Sequence, residues 1–406
     1  MKILTFTTLF PNAEQPDHGI FVENRLRHLL ASQRLAARVI APIPWFPGSG
    51  KGAGRYSRFA RAPRSEIRHG IAIDHPRFVS LPKIGMHLAP FLLYWGARRA
   101  VHRLLAQGFA FDLIDAHYFY PDGIAAALLA REFGKPVVIT ARGTDINLIA
   151  EYRLPRRMIL WAARQAGGVV TVCAAFKTRL VELGADAAGI RVLRNGVDLD
   201  RFRPRDRAGA RQAYGVEGAA PVLLSVGHLI PRKGHELVIE ALARLPEARL
   251  LIAGDGPERG ALEQLARRLG VAARVRFLGR VAHEALAELY SAADVLVLAS
   301  SREGWANVLL EAMACGTPVV ASNVWGTPEV VADTAAGRLV AERSGAAFAT
   351  AITRLLASPP ARDATRRYAE TFGWEATSEG QLTLFHAILA RPQPTPIDAG
   401  TRSAAG

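Results

Sequence analysis

Two glutamates in the stretch SSREGWANVLLEAMACGTPVVAS have a spacing that could serve a sugar-binding site. Glu303 follows the apolar segment DVLVLAS, and Glu311 comes after seven intervening residues. Glycine and proline come next, so the sequence predicts a helix from about Asn307 through Met313. Glu303 then lies just ahead of a helix N-terminus, whose N–H groups can bind hydroxyls or phosphate oxygens. Glu311 lies inside the helix, where a carboxylate can accept both hydroxyls of a ribose, although the spacing alone also fits solvated helix charges.

Three further loops, each after an apolar segment, carry residues suited to a phosphorylated ligand. After PVLLSVG, Arg232 and Lys233 precede a predicted helix, and two cations beside a helix N-terminus suit a pyrophosphate. After ARLLIAG, Asp255 stands between two glycines in a tight turn that lets backbone approach a base or a sugar. After VRFLG come Arg280 and Val281. If these segments are parallel strands, all four loops meet at one sheet edge, whereas the plain alternative for Arg232 and Lys233 is a basic surface loop.

The elements that must position these residues are apolar segments rich in β-branched residues, interleaved with helical stretches. Continuous apolar strands of this kind predict parallel sheets covered on both faces, and hence two doubly wound α/β domains. A polar, proline-containing stretch, NGVDLDRFRPRDRAG, predicts the seam near residue 203. We expect domains at 1–202 and 203–370, a terminal helix at 371–390 that returns to the first domain, and a disordered tail at 391–406. The predicted strands are KILTFT, ARVIAP, DLIDAH, PVVITA, GVVTVC and IRVLR in the first domain, and PVLLSVG, ARLLIAG, VRFLG, DVLVLAS and TPVVAS in the second.

Composition narrows the class of protein. The chain has 406 residues, of which 50% are hydrophobic, so two or three domains could each bury a core. Two cysteines, Cys173 and Cys315, are too few for a disulfide framework or a four-cysteine zinc site, which favours a reducing cytoplasm. The first apolar segment is interpreted as a buried strand rather than a leader, and no apolar stretch of 18 residues lacks charges. We expect a soluble or peripheral protein.

Positive charge is concentrated in the first half of the chain. The formal net charge is +15, of which residues 1–200 supply +12 and residues 201–406 supply +3. Residues 51–103 alone hold 11 basic and two acidic side chains. Nucleic acid, an anionic membrane surface and phosphorylated substrates are the partners that suit such a patch, beside the plain alternative of an arginine-rich proteome.

The motifs together resemble those of the retaining glycosyltransferases of family 4, which have the GT-B architecture of two facing Rossmann-like domains. The second half carries VGHLIPRKG, AGDGPER, FLGRV, EGWANVLLEAMACGTPVVAS and GTPEVV in the family's order, and the first half matches more loosely through DAHYFYPDG, TARGTDI and NGVDLDRFRP. The resemblance covers roughly residues 1–390. It implies an enzyme of hexosyltransferase type, whose first domain binds the acceptor and whose second domain binds a nucleotide sugar, with a UDP- or GDP-sugar as donor.

The resemblance also implies roles for individual residues of the donor site. Lys233 and its basic neighbour hold the pyrophosphate, Glu311 holds the ribose, and Glu303 with nearby amides holds the donor sugar. Gly19 approaches the phosphates, and the residues after the strand VRFLG contact the base. Glu303 and Lys233 are counted as catalytic. The implied donor-site residues are Gly19, Arg232, Lys233, Asp255, Arg280, Val281, Glu303, Gly304, Asn307 and Glu311.

In the first domain the resemblance points to His117, at the end of the strand DLIDAH, as a catalytic residue near the reacting sugar carbon. A lone histidine at a strand end is otherwise more often structural. Two departures from the family pattern matter. Where many members have Gly-Arg this chain has Gly-His228, so Arg232 is expected to take over the phosphate contact. Where many have His-Gly it has Arg142, Gly, Thr and Asp145, so Arg142 and Asp145 are candidates for binding the acceptor or an anion.

The expected chemistry needs neither a metal nor a cofactor. Breaking the bond between a sugar and a nucleotide diphosphate builds negative charge on the leaving phosphate, and fixed cations beside a helix N-terminus can stabilise it. The family retains anomeric configuration. No residue of the sequence stands out as a double-displacement nucleophile, which favours front-face attack with the departing phosphate helping to deprotonate the acceptor.

The acceptor is expected to be a lipid-linked saccharide at an anionic membrane surface. Arginines alternate with apolar residues in 91–105 and 153–164, a pattern that suits interfacial helices as well as ordinary packed ones. We expect a cytoplasmic enzyme on the inner membrane face, in bacterial surface-polysaccharide assembly, with no nucleic acid partner. The alternatives are a sugar-nucleotide epimerase of the same fold and a basic nucleic-acid-binding protein. A dehydrogenase is disfavoured because no G-x-G-x-x-G follows the first strand, and the sequence does not indicate an oligomeric state.

Overall fold

The computed structural model describes residues 1–45, 56–80 and 86–392, and the expected disordered tail at 391–406 lies almost wholly outside these residues. The chain divides into two compact units. The first comprises Met1–Arg194 together with the residues from Glu375 onward, and the second comprises Asn195–Trp374. Among the described residues, no helix combines the length and the apolar composition that a membrane span requires.

The strands and helices alternate along the chain as expected for an α/β protein. The strands are β1 (Lys2–Phe6), β2 (Ala36–Ile40), β3 (Ile43–Trp45), β4 (Ser65–Arg68), β5 (Ile71–Asp74), β6 (Arg77–Val79), β7 (Leu113–His117), β8 (Val137–Ala141), β9 (Gly168–Thr171), β10 (Ile190–Val192), β11 (Val222–Val226), β12 (Arg249–Ala253), β13 (Val275–Gly279), β14 (Val295–Leu298), β15 (Val319–Ser322) and β16 (Gly337–Val340). The helices are α1 (Ile20–Ala31), α2 (Tyr56–Arg61), α3 (Ala89–Ala106), α4 (Ile124–Phe133), α5 (Thr144–Asn147), α6 (Arg153–Gln165), α7 (Ala174–Glu182), α8 (Arg207–Ala213), α9 (His235–Leu242), α10 (Arg259–Arg268), α11 (Leu286–Ala292), α12 (Asn307–Ala314), α13 (Thr327–Val330), α14 (Gly345–Ala357), α15 (Arg362–Glu370) and α16 (Trp374–Leu389).

The first unit is built on a sheet with the strand order β10-β9-β8-β7-β1-β2-β5-β4, beside a small pair of strands, β3 and β6. All neighbours in the large sheet are parallel except β4, which runs antiparallel to β5. The central strands β7, β8 and β9 are buried along their whole length, because the sheet is covered on both faces. The strand order reverses between β1 and β7, so the loops that follow these two strands lie side by side.

The second unit has the strand order β13-β12-β11-β14-β15-β16, and all its strands are parallel. This is the order of a Rossmann sheet, and it reverses between β11 and β14. In such sheets the crevice for a ligand lies beyond the carboxyl ends of the strands at the reversal. The loops that carry Lys233 and Glu303 follow β11 and β14, so the topology places them at that point.

Every strand predicted from the sequence is present, and the prediction of two parallel-sheet α/β domains is confirmed. The sequence analysis missed β3 to β6 and β16, which are short; β3 contains a proline, and the others carry polar residues. The division between the units falls at Arg194, eight residues before the expected boundary at 202. The reason is that the linker packs on the second unit: Val197 N–H donates to Phe372 O over 2.9 Å, and Phe202 is buried there.

The last helix, α16, is an integral part of the first unit from Glu375 onward. Its Leu382, Phe385 and Ile388 share a buried hydrophobic cluster with Leu26 of α1. A Cβ at Gly168 in β9 would lie 3.1 Å from both Ile388 and Leu384, so the glycine lets this helix approach the sheet closely.

We expect Phe385→Ala to destabilise the protein by about 3–5 kcal/mol, because it removes a fully buried aromatic ring and leaves a cavity. His386→Ala, the exposed neighbour on the same helix, is the matched control and should change the free energy of unfolding by less than about 0.5 kcal/mol. Chemical denaturation followed by tryptophan fluorescence measures both. Equal effects of the two substitutions would contradict the packing of α16 described above.

Candidate functional site

Two loops of the second unit meet at the reversal between β11 and β14, and a glycine permits their contact. Gly234 has a φ of 69°, and a Cβ there would lie 2.2 Å from the carbonyl oxygen of Ala299. The Ser301 N–H donates to Arg232 O over 2.8 Å, which ties the loop after β14 to the loop after β11. Because of this close backbone contact, the side chains that follow the two strands lie together.

Lys233, Arg232 and Glu303 form one charged cluster at this place. The Lys233 ammonium Nζ lies 2.7 Å from Glu303 Oε1, and Arg232 Nη1 lies 3.7 Å from the same oxygen. Arg232 Nη1 also donates to Arg302 O over 2.9 Å, which fixes the guanidinium. Burial alone would raise the pKa of Glu303, but Lys233 and Arg232 outweigh it, and the pKa is lowered. Glu303 is therefore an ionised carboxylate at neutral pH, and the cluster has a net charge of +1.

Glu311 lies in a second cluster of the same unit, with partners that the sequence analysis missed. The buried Tyr290 hydroxyl donates to Glu311 Oε2 over 2.8 Å, and His283 Nε2 lies 3.5 Å from Oε1. Arg201 Nη1 is 2.7 Å from His283 Nδ1. Since an arginine can only donate, Nδ1 accepts and Nε2 carries the proton toward Glu311. Burial, with the Glu311 charge beside it, raises the pKa of Tyr290 well above its usual value, so the phenol stays a donor.

The loop after β12 approaches the loop after β11 backbone to backbone. A Cβ at Gly254 would lie 1.8 Å from Gly227 O, and one at Gly256 would lie 2.4 Å from Leu229 O. Asp255 is exposed between them, and its Oδ1 accepts a hydrogen bond of 2.8 Å from the Gly256 N–H. The glycines are thus required by the contact between the two loops.

The remaining candidates of the second unit lie at the ends of neighbouring elements. Arg280 is exposed and Val281 half-buried directly after β13, whose last residue bonds to the β12 loop. Gly304 is buried in the loop after β14. Asn307 begins α12, so the predicted helix start is confirmed, and its Oδ1 accepts a hydrogen bond of 3.4 Å from Asn195 Nδ2. The structure brings Arg232, Lys233 and Glu303 into direct contact and places the others at the same sheet edge or on α12.

Gly19, in the first unit, has a reason to be glycine that lies within the chain itself. Its φ is 71°, and a Cβ would lie 2.3 Å from the carbonyl group of Leu9. The close approach at Gly19 is therefore made by the loop after β1.

His117 is 1% exposed, and both of its ring nitrogens have internal partners. Arg142 Nη2 lies 2.7 Å from Nδ1, and Nε2 lies 3.3 Å from Asp115 Oδ2. The arginine must donate to Nδ1, so the proton of the neutral ring is on Nε2 and points to Asp115. Burial lowers the pKa of His117 to about 4, against the opposing effect of Asp115. In this arrangement no ring nitrogen is available to take a proton from a substrate.

The network continues from Asp115 into α16 and α1 through residues that sequence analysis did not find. Gln381 Nε2 donates to Asp115 Oδ2 over 2.9 Å, and Arg25 Nε donates to Gln381 Oε1 over 2.7 Å. Arg25 Nη1 also donates to Leu193 O over 3.1 Å. The signals were present, because Asp115 interrupts an apolar strand and Arg25 interrupts the buried face of α1, but their partner lies more than 250 residues away.

Asp145 and Arg142 have different positions in this region. Asp145 is fully buried, and its carboxylate accepts hydrogen bonds from the N–H groups of Phe119 and Gly143 over 2.8 and 2.6 Å. It therefore shapes the loop after β8. Arg142 is 8% exposed, more than His117, and its guanidinium lies 5.5 Å from the ring centroid of Phe21. Of these residues, Arg142 is the better placed to meet a ligand.

We expect His117 to remain neutral, with its proton on Nε2, at every pH from about 5 to 8. Its pKa in the folded protein is below the usual 6.5, so as the pH falls the unfolded chain binds this proton before the folded chain does. The free energy of unfolding that depends on the neutral ring is therefore fully present above pH 6.5 and is lost as the pH falls toward 4. Long-range ¹H–¹⁵N spectra of the imidazoles read the tautomer, and His117→Gln assigns the signal. A His117 that titrates at its ordinary pKa would contradict the buried network.

Comparison with known proteins gives matches in both units. The family described as "Glycosyl transferases group 1" matches residues 206–372, and "Glycosyltransferase Family 4" matches residues 53–201. A D-inositol 3-phosphate glycosyltransferase of Mycobacterium tuberculosis is 42% identical over 217 residues, which cover 51% of this chain and 45% of that protein. The match thus spans about half the length of this relative.

Solved structures share the fold along nearly the whole chain. A sucrose-phosphate synthase from Thermosynechococcus elongatus has a TM-score of 0.79 at 24% identity and covers 96% of this chain and 99% of its own. HepE of Anabaena, solved in complex with UDP, has a TM-score of 0.72 at 23% identity and covers 95% of this chain and all of its own. The two glycosyltransferase family models together match most of the sequence, and the chain has the GT-B fold.

Proposed function

We propose that this protein is a retaining glycosyltransferase that moves a sugar from a nucleotide diphosphate sugar to an acceptor. The observation that carries the proposal is the cluster of Lys233, Arg232 and Glu303 at the strand reversal of the second unit. A Rossmann sheet binds its ligand at that place. Two cations and one ionised carboxylate offer what a sugar diphosphate needs, since the cations suit phosphate oxygens and the carboxylate accepts sugar hydroxyls.

The cluster is suited to the departure of a diphosphate. Negative charge grows on the leaving phosphate as the glycosidic bond breaks, and cations fixed in advance stabilise that charge at little reorganisation cost. Lys233 has three donor hydrogens, so it can keep Glu303 in place and still donate to a phosphate oxygen. Arg232, fixed by Arg302 O, supplies the second cation in place of the Gly-Arg of other members.

Glu311 is proposed to bind the ribose of the donor, and its partners support that role. Tyr290 holds one carboxylate oxygen, and the protonated Nε2 of His283 faces the other. A carboxylate held on both sides is oriented before the ligand arrives. Arg280 and Val281 are proposed to contact the base, which is uracil or guanine. HepE of Anabaena, which was solved in complex with UDP, supports uracil rather than guanine as the base.

The transfer itself is proposed to proceed by front-face attack without a metal or a cofactor. Lys233 and Arg232 supply the charge that would otherwise be required beside the diphosphate. Both ring nitrogens of His117 are engaged, which supports deprotonation of the acceptor by the departing phosphate. His117 then acts through Arg142, which it holds in place.

The acceptor is proposed to be a lipid-linked saccharide, bound by the first unit at an anionic membrane surface in surface-polysaccharide assembly on the cytoplasmic side. The excess of positive charge in the first half supports an anionic acceptor, and so does a relative named for a phosphorylated one, D-inositol 3-phosphate. Exposed Phe91 and Trp95 on α3, and Leu154 on α6, support contact with lipid.

We expect UDP or GDP to raise the melting temperature of the protein in a concentration-dependent way, because a ligand that binds the folded state stabilises it by mass action. The shift should persist in EDTA, and Lys233→Ala should abolish most of it. Lys135→Ala, a lysine of the first unit, is the control. Transfer of sugar to a second saccharide, rather than conversion of the donor alone, separates the transferase from an epimerase. If neither nucleotide changes the melting temperature of the wild-type protein, the proposed function is contradicted.

We expect Tyr290→Phe to weaken the discrimination between UDP and 2′-deoxy-UDP. The substitution leaves a buried carboxylate oxygen without its donor, a change worth about 1–3 kcal/mol, or roughly 5- to 150-fold in affinity for the ribose hydroxyls. Glu311→Gln should reduce the same discrimination further, and Tyr214→Phe is the matched control in the same unit. Isothermal titration with both nucleotides measures it. An unchanged preference for UDP in both variants would remove Glu311 from the ribose site.

A further inference from the structure

A cavity of about 550 Å³ in the first unit lies beside α3. Its walls come from the end of β5, the start of β6 and the middle of α3. Positive side chains dominate the lining. The charged residues around it are Arg64, Asp74, Arg77, Arg98, Arg99 and Arg103.

Most of this positive charge is uncompensated. Arg98 Nε lies 2.5 Å from Glu132 Oε1, and Asp74 Oδ2 lies 3.5 Å from Arg38 Nη2. Of the charged residues that line the cavity, Arg98 and Asp74 are therefore already paired. Within the part of the chain that the structure describes, no carboxylate forms an ion pair with the other four lining arginines. Four positive charges therefore surround a cavity that can hold several solvated or bound anionic oxygens. The four residues are Arg64, Arg77, Arg99 and Arg103.

Two of these arginines repel each other. The guanidinium of Arg77 donates to the backbone oxygens of Ala62 and His75, which holds it at the cavity. Burial, and after it the charge of Arg64, lowers the pKa of Arg77. Like charges held together in this way are relieved by a bound anion, so the cavity is electrostatically prepared for a phosphoryl group.

An apolar cavity of about 320 Å³ adjoins the charged one and shares Trp95 and Arg98 with it. Phe91, Tyr94 and Leu128 supply the rest of its apolar wall. Trp95 is 64% exposed and Phe91 40% exposed, which is unusual for side chains of this size. Met86 and Leu88, just before α3, are exposed as well. One ligand that spans both cavities would have an anionic head and an apolar body.

We propose that the paired cavities bind the diphosphate of a lipid-linked acceptor, with the phosphates among the arginines and the hydrocarbon along Trp95 and Phe91. This inference rests on the proposed function and gives its acceptor a place on the first unit. A diphosphate matches four uncompensated cations better than the single charge of a phosphodiester. Single-stranded nucleic acid is the competing ligand, because its bases could stack on Trp95 and Phe91, and the experiment therefore includes an oligonucleotide.

Isothermal titration with farnesyl diphosphate tests the proposal directly. The key variant is Arg99→Ala with Arg103→Ala, since both side chains are exposed on α3 and alanine preserves the helix. We expect at least 10-fold weaker binding than in the wild type. Arg267→Ala with Arg268→Ala, two exposed arginines of α10, removes the same charge and should change the affinity less than twofold. An equal loss in both double variants would overturn the proposal.

Two further arms separate the source of the phosphoryl group. Trp95→Ala should weaken farnesyl diphosphate but leave inorganic pyrophosphate unchanged, because only the former has a hydrocarbon body. If pyrophosphate or D-inositol 3-phosphate binds as tightly as farnesyl diphosphate, the site takes free anions and the lipid part is wrong. Displacement of the probe by phosphatidylglycerol vesicles or by a single-stranded oligonucleotide at equal affinity would likewise overturn it.

The donor site must be kept apart from this measurement, because it also suits a diphosphate. Farnesyl diphosphate should bind Lys233→Ala as well as it binds the wild type, and UDP should stabilise the Arg99/Arg103 double variant fully. A wild type that binds farnesyl diphosphate through Arg99 and Arg103 but ignores nucleotides would contradict the proposed function alone. Loss of farnesyl diphosphate binding in Lys233→Ala would instead place the probe at the donor site and overturn the inference.

Discussion

Close contact between backbone loops at the carboxyl ends of β11, β12 and β14 is the constraint on which the proposed donor site depends. Gly234 lies against Ala299 O, and Gly254 lies against Gly227 O, at distances that exclude any side chain. The parallel order of the sheet brings the loops near each other, and the glycines let them touch. Only then can Lys233 and Glu303, from strands far apart in sequence, form one ion pair. An alanine at Gly234 would force apart the two loops that hold the charges.

In the first unit a buried polar network also holds side chains in place, but it does so by pairing charges rather than by backbone contact. Arg25 and Arg142 are cations in the interior, and Asp115 and Asp145 are the carboxylates that lie near them. Buried charges are costly unless they are paired and hydrogen bonded. Gln381 from the last helix completes the pairing by donating to Asp115 and accepting from Arg25. The return of the chain to the first unit is thus tied both to its hydrophobic core and to the position of His117.

Much of the fold could be predicted because parallel strands are locally encoded as apolar runs. The missed strands show the limit: β4 reads SEIR and β16 reads GRLV, and such short segments carry no apolar run. Lys233 and Glu303 could be predicted as neighbours because each follows a strand at the same edge. Tyr290 and Gln381 could not, since their hydrogen bonds depend on how helices pack. Gly19 is predicted to approach the phosphates, and the structure adds a second requirement for glycine there, its contact with Leu9.

The two units differ in how much of their clustered positive charge is paired with carboxylates, and the proposed reaction explains the difference. At the donor cluster Glu303 offsets one of two cations, which leaves a net +1. A diphosphate that must leave after each turnover is better served by few, fixed contacts than by a strongly cationic cavity. Among the described residues, four of the five arginines that line the charged cavity beside α3 have no carboxylate as an ion-pair partner. The proposed acceptor keeps its diphosphate throughout the reaction and gains from strong retention, which accounts for uncompensated charge in the first half of the chain, where residues 1–200 hold +12.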